Sequence, residues 1–234
     1  MVTSEDRPLS DNIAFARSFD SDQAIHVQYM SSTCPLPTLR PMAARLADSY
    51  RLLHPAWGDR YGMTHIAAGP RGMPVAVRVL ASRPRVRPAD VDLLTAVRHP
   101  NLATVRDVLV EDRVAIAADA VLGRTLRRAR LSADELLRVA DGIATGLTAL
   151  HEQGVRHRTI GPSTVMLDHR GEVVLTDVAV GHLLDLPGSA AEDWQAVADL
   201  LSTVWRNAHG RWRRPPPALR DVWADTMARA RDMG

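Results

Sequence analysis

Three short runs in this 234-residue chain hold side chains able to do chemistry: Val75-Ala76-Val77-Arg78, His157-Arg158-Thr159-Ile160-Gly161 and Val174-Leu175-Thr176-Asp177. Their chemistry is restricted. The 29 residues counted as lysine or arginine are all arginines, so each such contact is a planar guanidinium fork rather than a compact ammonium. The Thr159 hydroxyl cannot act as a base near neutral pH. Asp177 is one carboxylate, and magnesium takes several oxygens. Farther along, Trp205-Arg206 and Arg211-Trp212-Arg213-Arg214 interleave aromatics with arginines. That pattern reads either as a solvated loop whose tryptophans pack locally or as a docking patch for an acidic protein partner, since Trp and Arg dominate interface hot spots.

Hydrophobic periodicity supplies the elements that must position these runs. Residues 1–48 have no sustained period and read as a flexible extension, with a short helix around Ala43 to Asp48. Strand-like text begins at Tyr50 to Leu53. Pro74 to Leu80, Thr104 to Val110 and Arg113 to Ala118 alternate and are β-branched, which predicts strands. Between them Pro88 opens a helix with Asp90 and Asp92 in its first turn and an apolar stripe of Val91, Leu94 and Val97. After Gly123 the period turns helical. Ser132 with Glu135 and Ser189 with Glu192 are capping boxes. Leu136, Val139, Ile143, Leu147 and Leu150 follow the first, and Trp194, Val197, Leu201 and Val204 follow the second. Thr164 to Leu167 and Glu172 to Thr176 predict two short strands, and prolines 215–217 introduce a last amphipathic helix through Leu219, Val222, Trp223 and Met227.

Bulk composition narrows the function classes. An apolar fraction of 46% predicts a substantial buried core. A net charge of +2 argues against a general nucleic-acid or membrane-surface role. Cys34 is the single cysteine, which excludes an internal disulfide and suits a reducing cytoplasm. No apolar run approaches the ~20 residues of a membrane span, and Met1 to Arg7 lacks the apolar stretch of a secretory signal.

Several phrases then resemble the protein-kinase family, in that family's order, over about residues 49–205. Arg98-His99-Pro100-Asn101-Leu102 is similar to the phrase after its regulatory helix. Gly123-Arg124-Thr125-Leu126 resembles the hinge-to-helix segment, Leu150 to Arg158 the approach to the catalytic loop, and Val174 to Asp177 the strand before the metal-binding aspartate. The resemblance implies an α+β, two-lobed fold. Residues 49–118 would form a β-rich N-lobe with one helix, and residues 123–234 a helical, truncated C-lobe with a short activation segment.

The resemblance also implies where the machinery would stand. Arg78 replaces the phosphate-gripping lysine, and Asp90 falls at its glutamate partner, which reads as a structural Arg78–Asp90 clasp or as a plain solvated pair. Trp57 to Gly62 falls at the glycine-rich loop, shortened and with Arg60 at the middle glycine; it reads better as a hairpin turn, with Asp59 placing negative charge beside any phosphate. Thr159 replaces the catalytic aspartate, Gly161 the lysine and Thr164 the second metal-binding asparagine. A GC-rich genome accounts for missing lysines but not for Thr159. Ala118 falls at the gatekeeper, and Asp119-Ala120-Val121 at the adenine-binding hinge. Asp177 survives, followed by Val178-Ala179. Asp193, 16 positions on, would hold the backbone of the His157–Arg158 turn, and His157 would be a core residue.

The reading is therefore a catalytically inactive, cytoplasmic kinase homologue of bacterial Ser/Thr type that binds a protein partner and holds no metal or obligate cofactor. Its alternative is an atypical ATP-dependent Ser/Thr kinase or nucleotide-binding protein, with ATP and magnesium at Arg78, Asp90, Asp119, Val121 and Asp177.

Overall fold

The structure, a computed structural model, describes residues 49–210 and 213–232. The flexible extension, the helix around Ala43 to Asp48, and Arg211 and Trp212 lie outside the described residues. Alternation of β-branched and small residues builds the first half. Strands β1 (Arg51–Asp59), β2 (Gly62–Ala68), β3 (Pro74–Leu80), β4 (Val105–Val110) and β5 (Val114–Asp119) form an antiparallel sheet in the order β1-β2-β3-β5-β4. Helix α1 (Pro88–Ala96) connects β3 to β4, with Pro88 at its first position. In β3, Val75, Val77 and Val79 face a small cluster with Tyr50, Ala67, Ala115 and Ala117. The period-2 pleat sends Ala76, Arg78 and Leu80 to the opposite face, where Leu80 joins the main core.

The second half is helical, as its 3–4 spacing predicts. Strand β6 (Gly123–Thr125) leads into helix α2 (Ala133–Glu152). The Ser132 hydroxyl accepts from the Glu135 N–H while the Glu135 carboxylate accepts from Ser132 N–H. Strands β7 (Val165–Asp168) and β8 (Val173–Leu175) pair with β6 in the order β6-β7-β8. Helix α3 (Val180–Leu183), α4 (Ala190–His209, with its capping box at Ser189 and Glu192) and α5 (Pro217–Asp232) complete the architecture. Five features escaped the periodicity: β2, the 3-10 turns at Pro70–Gly72 and Leu126–Arg128, β6, and α3. The turns, β6 and α3 are too short to show a period, and β2 lacks the β-branched alternation of β3, its burial following Thr64 and Ala67.

One core runs from Leu80 and Leu94 through Leu136, Ile143 and Leu150 to Trp194, Leu201 and Leu219. The connection between sheet and helices is also polar. Asn101 Nδ2 donates to the Val173 carbonyl at 2.7 Å, its Oδ1 accepts from the Thr145 hydroxyl at 3.1 Å, and its carbonyl accepts from Leu175 N–H at 2.8 Å. The expected α+β organisation holds, with a β-rich first half and a helical second half.

Close packing of α2 on β8 depends on Gly142, where an added Cβ would lie 2.7 Å from the Val173 Cβ. Alanine is intrinsically better in a helix by about 1 kcal/mol, but overpacking costs about 1–3 kcal/mol. Gly142→Ala is expected to destabilise by about 1–2 kcal/mol in urea unfolding. An unchanged or raised midpoint would show that α2 and β8 separate easily.

Candidate functional site

Arg78 is the buried cation of the cleft between sheet and helices. Its relative exposure is 3%, so its charge needs local compensation. Register supplies it: Trp57 lies opposite Thr64, Thr64 opposite Arg78, and Arg78 opposite Ile116. Side chains in such a row share a face. Nη1 of Arg78 donates to the Thr64 hydroxyl at 3.1 Å, and the guanidinium carbon sits 4.3 Å from the Trp57 ring centroid. Nη2 donates to the Asp59 carboxylate. Nε has no hydrogen-bond partner and faces Asp177 at 4.0 Å.

This arrangement corrects the expected Arg78–Asp90 clasp. Asp90 instead caps its own helix, accepting from Arg87 N–H at 3.1 Å and from the Arg87 guanidinium at 2.6 and 2.9 Å, with His182 Nε2 at 3.3 Å. The Arg87 side-chain hydrogen bond is the main reason its carboxyl lies well below the usual range. Sequence reasoning placed Asp59 beside the phosphates but missed that it neutralises Arg78. No sequence signal gave this pairing, because β1 lies one strand removed from β3 and slips register twice.

The loop from His157 to Thr164 is bonded to itself. His157 is fully buried; its Nε2 lies 2.9 Å from the Thr176 carbonyl, and its Nδ1 lies 3.1 Å from the Thr159 hydroxyl. Burial is the main cause that holds this imidazole below its ordinary pKa. Nε2 therefore donates to Thr176, leaving Nδ1 to accept from Thr159. The Thr164 hydroxyl accepts from Gly161 N–H at 3.0 Å and lies 3.0 Å from the Thr159 carbonyl. Thus Thr159 and Thr164 turn their oxygens inward. At Gly161 a Cβ would meet nothing within 4 Å.

Asp193 anchors this loop. Its carboxylate accepts from His157 N–H at 2.8 Å, from Arg158 N–H at 2.7 Å and from His151 Nε2 at 2.9 Å. Burial raises its pKa, but the His151 bond and the two backbone N–H groups outweigh that and hold it below the usual carboxylate range. Over the loop lies α3, whose Gly181 is so close that a Cβ would stand 2.3 Å from the His157 carbonyl oxygen. The Arg158 guanidinium reaches the Gly181 carbonyl and the Asp185 carboxylate, both at 3.4 Å. The stretch between Asp177 and Asp193 is thus a compact cover on the loop.

At the hinge, Ala118 stands opposite Ala76 and Val105 within the sheet. The Asp119 carboxylate holds Arg106 at 2.6 and 2.9 Å, and Val121 is half-buried. In the arginine–tryptophan run the described tryptophan packs locally. Trp205 is 4% exposed, its Nε1 donates to the Arg213 carbonyl at 2.9 Å, and it stacks on His209 at 3.8 Å. It is therefore a core residue, whereas Arg206, Arg213 and Arg214 are exposed. A concavity of about 860 Å³ is lined by residues of α2 and the β7–β8 turn, including Arg138, Asp141 and Arg170, and not by Arg78 or Asp177.

Among the described residues no cluster of three or more His, Cys, Asp or Glu is arranged to hold a metal. The Arg78 guanidinium is paired with Asp59, and the Asp177 carboxylate stands 4.0 Å from its Nε. Burial pushes the Asp177 carboxyl up to about 6, with Arg78 opposing and Asp59 reinforcing the rise.

Two predictions follow from this geometry. Asp193→Ala leaves three donors unpaired and is expected to lower stability by about 3 kcal/mol in denaturant unfolding, at about 1–3 kcal/mol per orphaned group. Melting with the wild type would mean that the loop holds without its anchor. For Asp177 the unfolded carboxyl titrates near 4 and the folded one about 6. The folded state prefers the protonated acid, so the stability that this group contributes is highest below pH 4, falls from pH 4 to 6, and is level above. Asp177→Asn should remove this loss, gaining on the wild type by about 2–3 kcal/mol between pH 4 and 7 at about 1.4 kcal/mol per pKa unit. Parallel profiles would place the titration elsewhere.

No family profile matches the chain. Curated relatives do. It is 31% identical to the serine/threonine-protein kinase PkaB of Streptomyces coelicolor over 167 residues, 62% of this chain and 40% of that protein. To PkaA of the same organism it is 33% identical over 144 residues, 54% of this chain and 26% of that protein. To PrkC of Bacillus subtilis it is 28% identical over 92 residues, 37% of this chain and 14% of that protein. The matched stretches therefore span well under half the length of these relatives. With the two-part α+β architecture and the Asp193-anchored loop, these matches make the chain a protein-kinase-like protein related to the bacterial Ser/Thr kinases.

Proposed function

We propose that this chain is a catalytically inactive kinase homologue that acts as a regulatory, protein-binding module in the cytoplasm. One observation carries the reading: Thr159, Gly161 and Thr164 form a closed set of hydrogen bonds at the loop where transfer chemistry would need a base and a cation. A threonine hydroxyl that donates to His157 has no capacity to take up a substrate proton near neutral pH. Gly161 contributes no charge to a transferring phosphoryl group. The α3 cover supports the same reading, because Gly181 and Arg158 fill the side of the loop where an acceptor would have to be held. The protein partner would be met by the exposed surface, with Arg206, Arg213 and Arg214 favouring an acidic one.

A second reading is favoured by the relatives, which are serine/threonine-protein kinases: residual nucleotide-dependent transfer using Asp177. Labelled phosphate separates the two. The purified chain, incubated with γ-labelled ATP and magnesium or manganese, is expected to incorporate nothing above background into itself or generic protein substrates. Incorporation abolished by Asp177→Asn would establish the second reading. The quadruple change Arg78→Lys, Thr159→Asp, Gly161→Lys and Thr164→Asn is also expected to leave protein phosphorylation absent, since positioning is a large share of the barrier and α3 still covers the loop. Robust transfer by that variant would locate the loss of chemistry in the four side chains alone.

A further inference from the structure

Arg78 is surrounded as a bound ligand would surround it, yet every neighbour belongs to this chain. Its Nη2 donates to Asp59, its Nη1 to Thr64, and its face lies on Trp57. Asp59 is itself fixed, because Oδ1 also accepts from Tyr61 N–H at 2.8 Å across the Arg60–Tyr61 turn. That turn joins β1 to β2 with Asp59 opposite Gly62. Gly62 in turn is pressed on β3, where a Cβ would stand 2.0 Å from the Val79 carbonyl oxygen.

We propose that Asp59 is an intramolecular stand-in for a phosphate group: the β1–β2 hairpin seats its carboxylate on Arg78 and closes the cleft to nucleotides. The acid is tethered, so a free anion competes with an effective local concentration of about millimolar or above. The guanidinium that it holds is buried and lies under the Trp57 ring, while the carboxylate itself keeps some solvent contact. A phosphate that displaced it would meet two carboxylates, Asp59 and Asp177, with one guanidinium between them. Closure therefore needs no partner and no modification. It concerns binding rather than transfer, and so extends beyond the loss of catalysis at the loop.

Removing the carboxylate exposes the latent site. Asp59→Asn keeps the shape and takes the charged acceptor from Nη2 of Arg78, leaving Asp177 at 4.0 Å from Nε as the remaining acid and Nη2 open to a compact anion. Titration calorimetry with inorganic pyrophosphate, and separately with magnesium-ATP, tests this. The wild type is expected to give no binding up to millimolar ligand. Asp59→Asn should bind pyrophosphate at least tenfold more tightly than the wild type, and Asp59→Asn with Arg78→Gln should lose that gain. If Asp59→Asn fails to melt cooperatively, Asp59→Ser carries the same comparison. Equal binding by wild type and variant, or a folded variant with no gain, overturns the proposal. Wild-type ATP binding without transfer would overturn it while leaving the non-catalytic reading intact; ATP binding accompanied by transfer would remove both.

Discussion

A guanidinium at 3% exposure sets the terms for the cleft. An uncompensated buried ion costs several kcal/mol, and breaking a buried pair by removing one partner costs about 3–5 kcal/mol. The sheet answers with one row of side chains, Trp57, Thr64, Arg78 and Ile116, drawn from four consecutive neighbours in the order β1-β2-β3-β5. Asp59, two positions beyond Trp57, supplies the counter-charge. The β1–β2 hairpin is therefore held by electrostatics as well as by its ladder, and the guanidinium Nη1 and Nη2 are both partnered within the sheet.

A second carboxylate performs the corresponding task in the helical half. Asp193 enters from the first turn of α4 and takes two backbone N–H groups that point the same way because Arg158 adopts φ of 60°. Backbone donors in such a turn have no ladder to join, and leaving them dry is expensive. Asn101 does similar work between the halves, serving β8 and α2 at once. The polar groups that hold the architecture thus keep their partners. The groups at Thr159 and Thr164, which on the kinase pattern would face a substrate or metal, are spent on their own loop.

These two clusters meet at Asp177. It has φ of 62°, lies 4.0 Å from Arg78, and begins the turn that delivers α3 onto the His157–Arg158 loop. Its carboxyl is raised because burial outweighs the nearby guanidinium, much of whose charge Asp59 has already neutralised. On the proposed reading the protein keeps a fixed kinase-like shape, and that shape rather than a reaction is what a partner would recognise.

Much of this was legible in the chain itself. The α2 and α4 helices announce themselves through capping boxes and a sustained 3–4 period, because helix ends and faces are local properties. Strands β3, β4 and β5 declare themselves by alternation, and the threonine at position 159 needs no coordinates. The partner of Arg78 was not legible. Spacing pointed to Asp90, which its own Arg87 captured, since an acid at the third position of a helix caps most easily against its neighbour. Placing Asp59 requires the register of β1 on β2, and β1 slips twice, between Leu52 and His54 and between Pro55 and Trp57. Each extra residue exchanges the two faces of a strand. No sequence period records such bulges, so tertiary structure alone decided that Trp57 and Asp59 cover the cation.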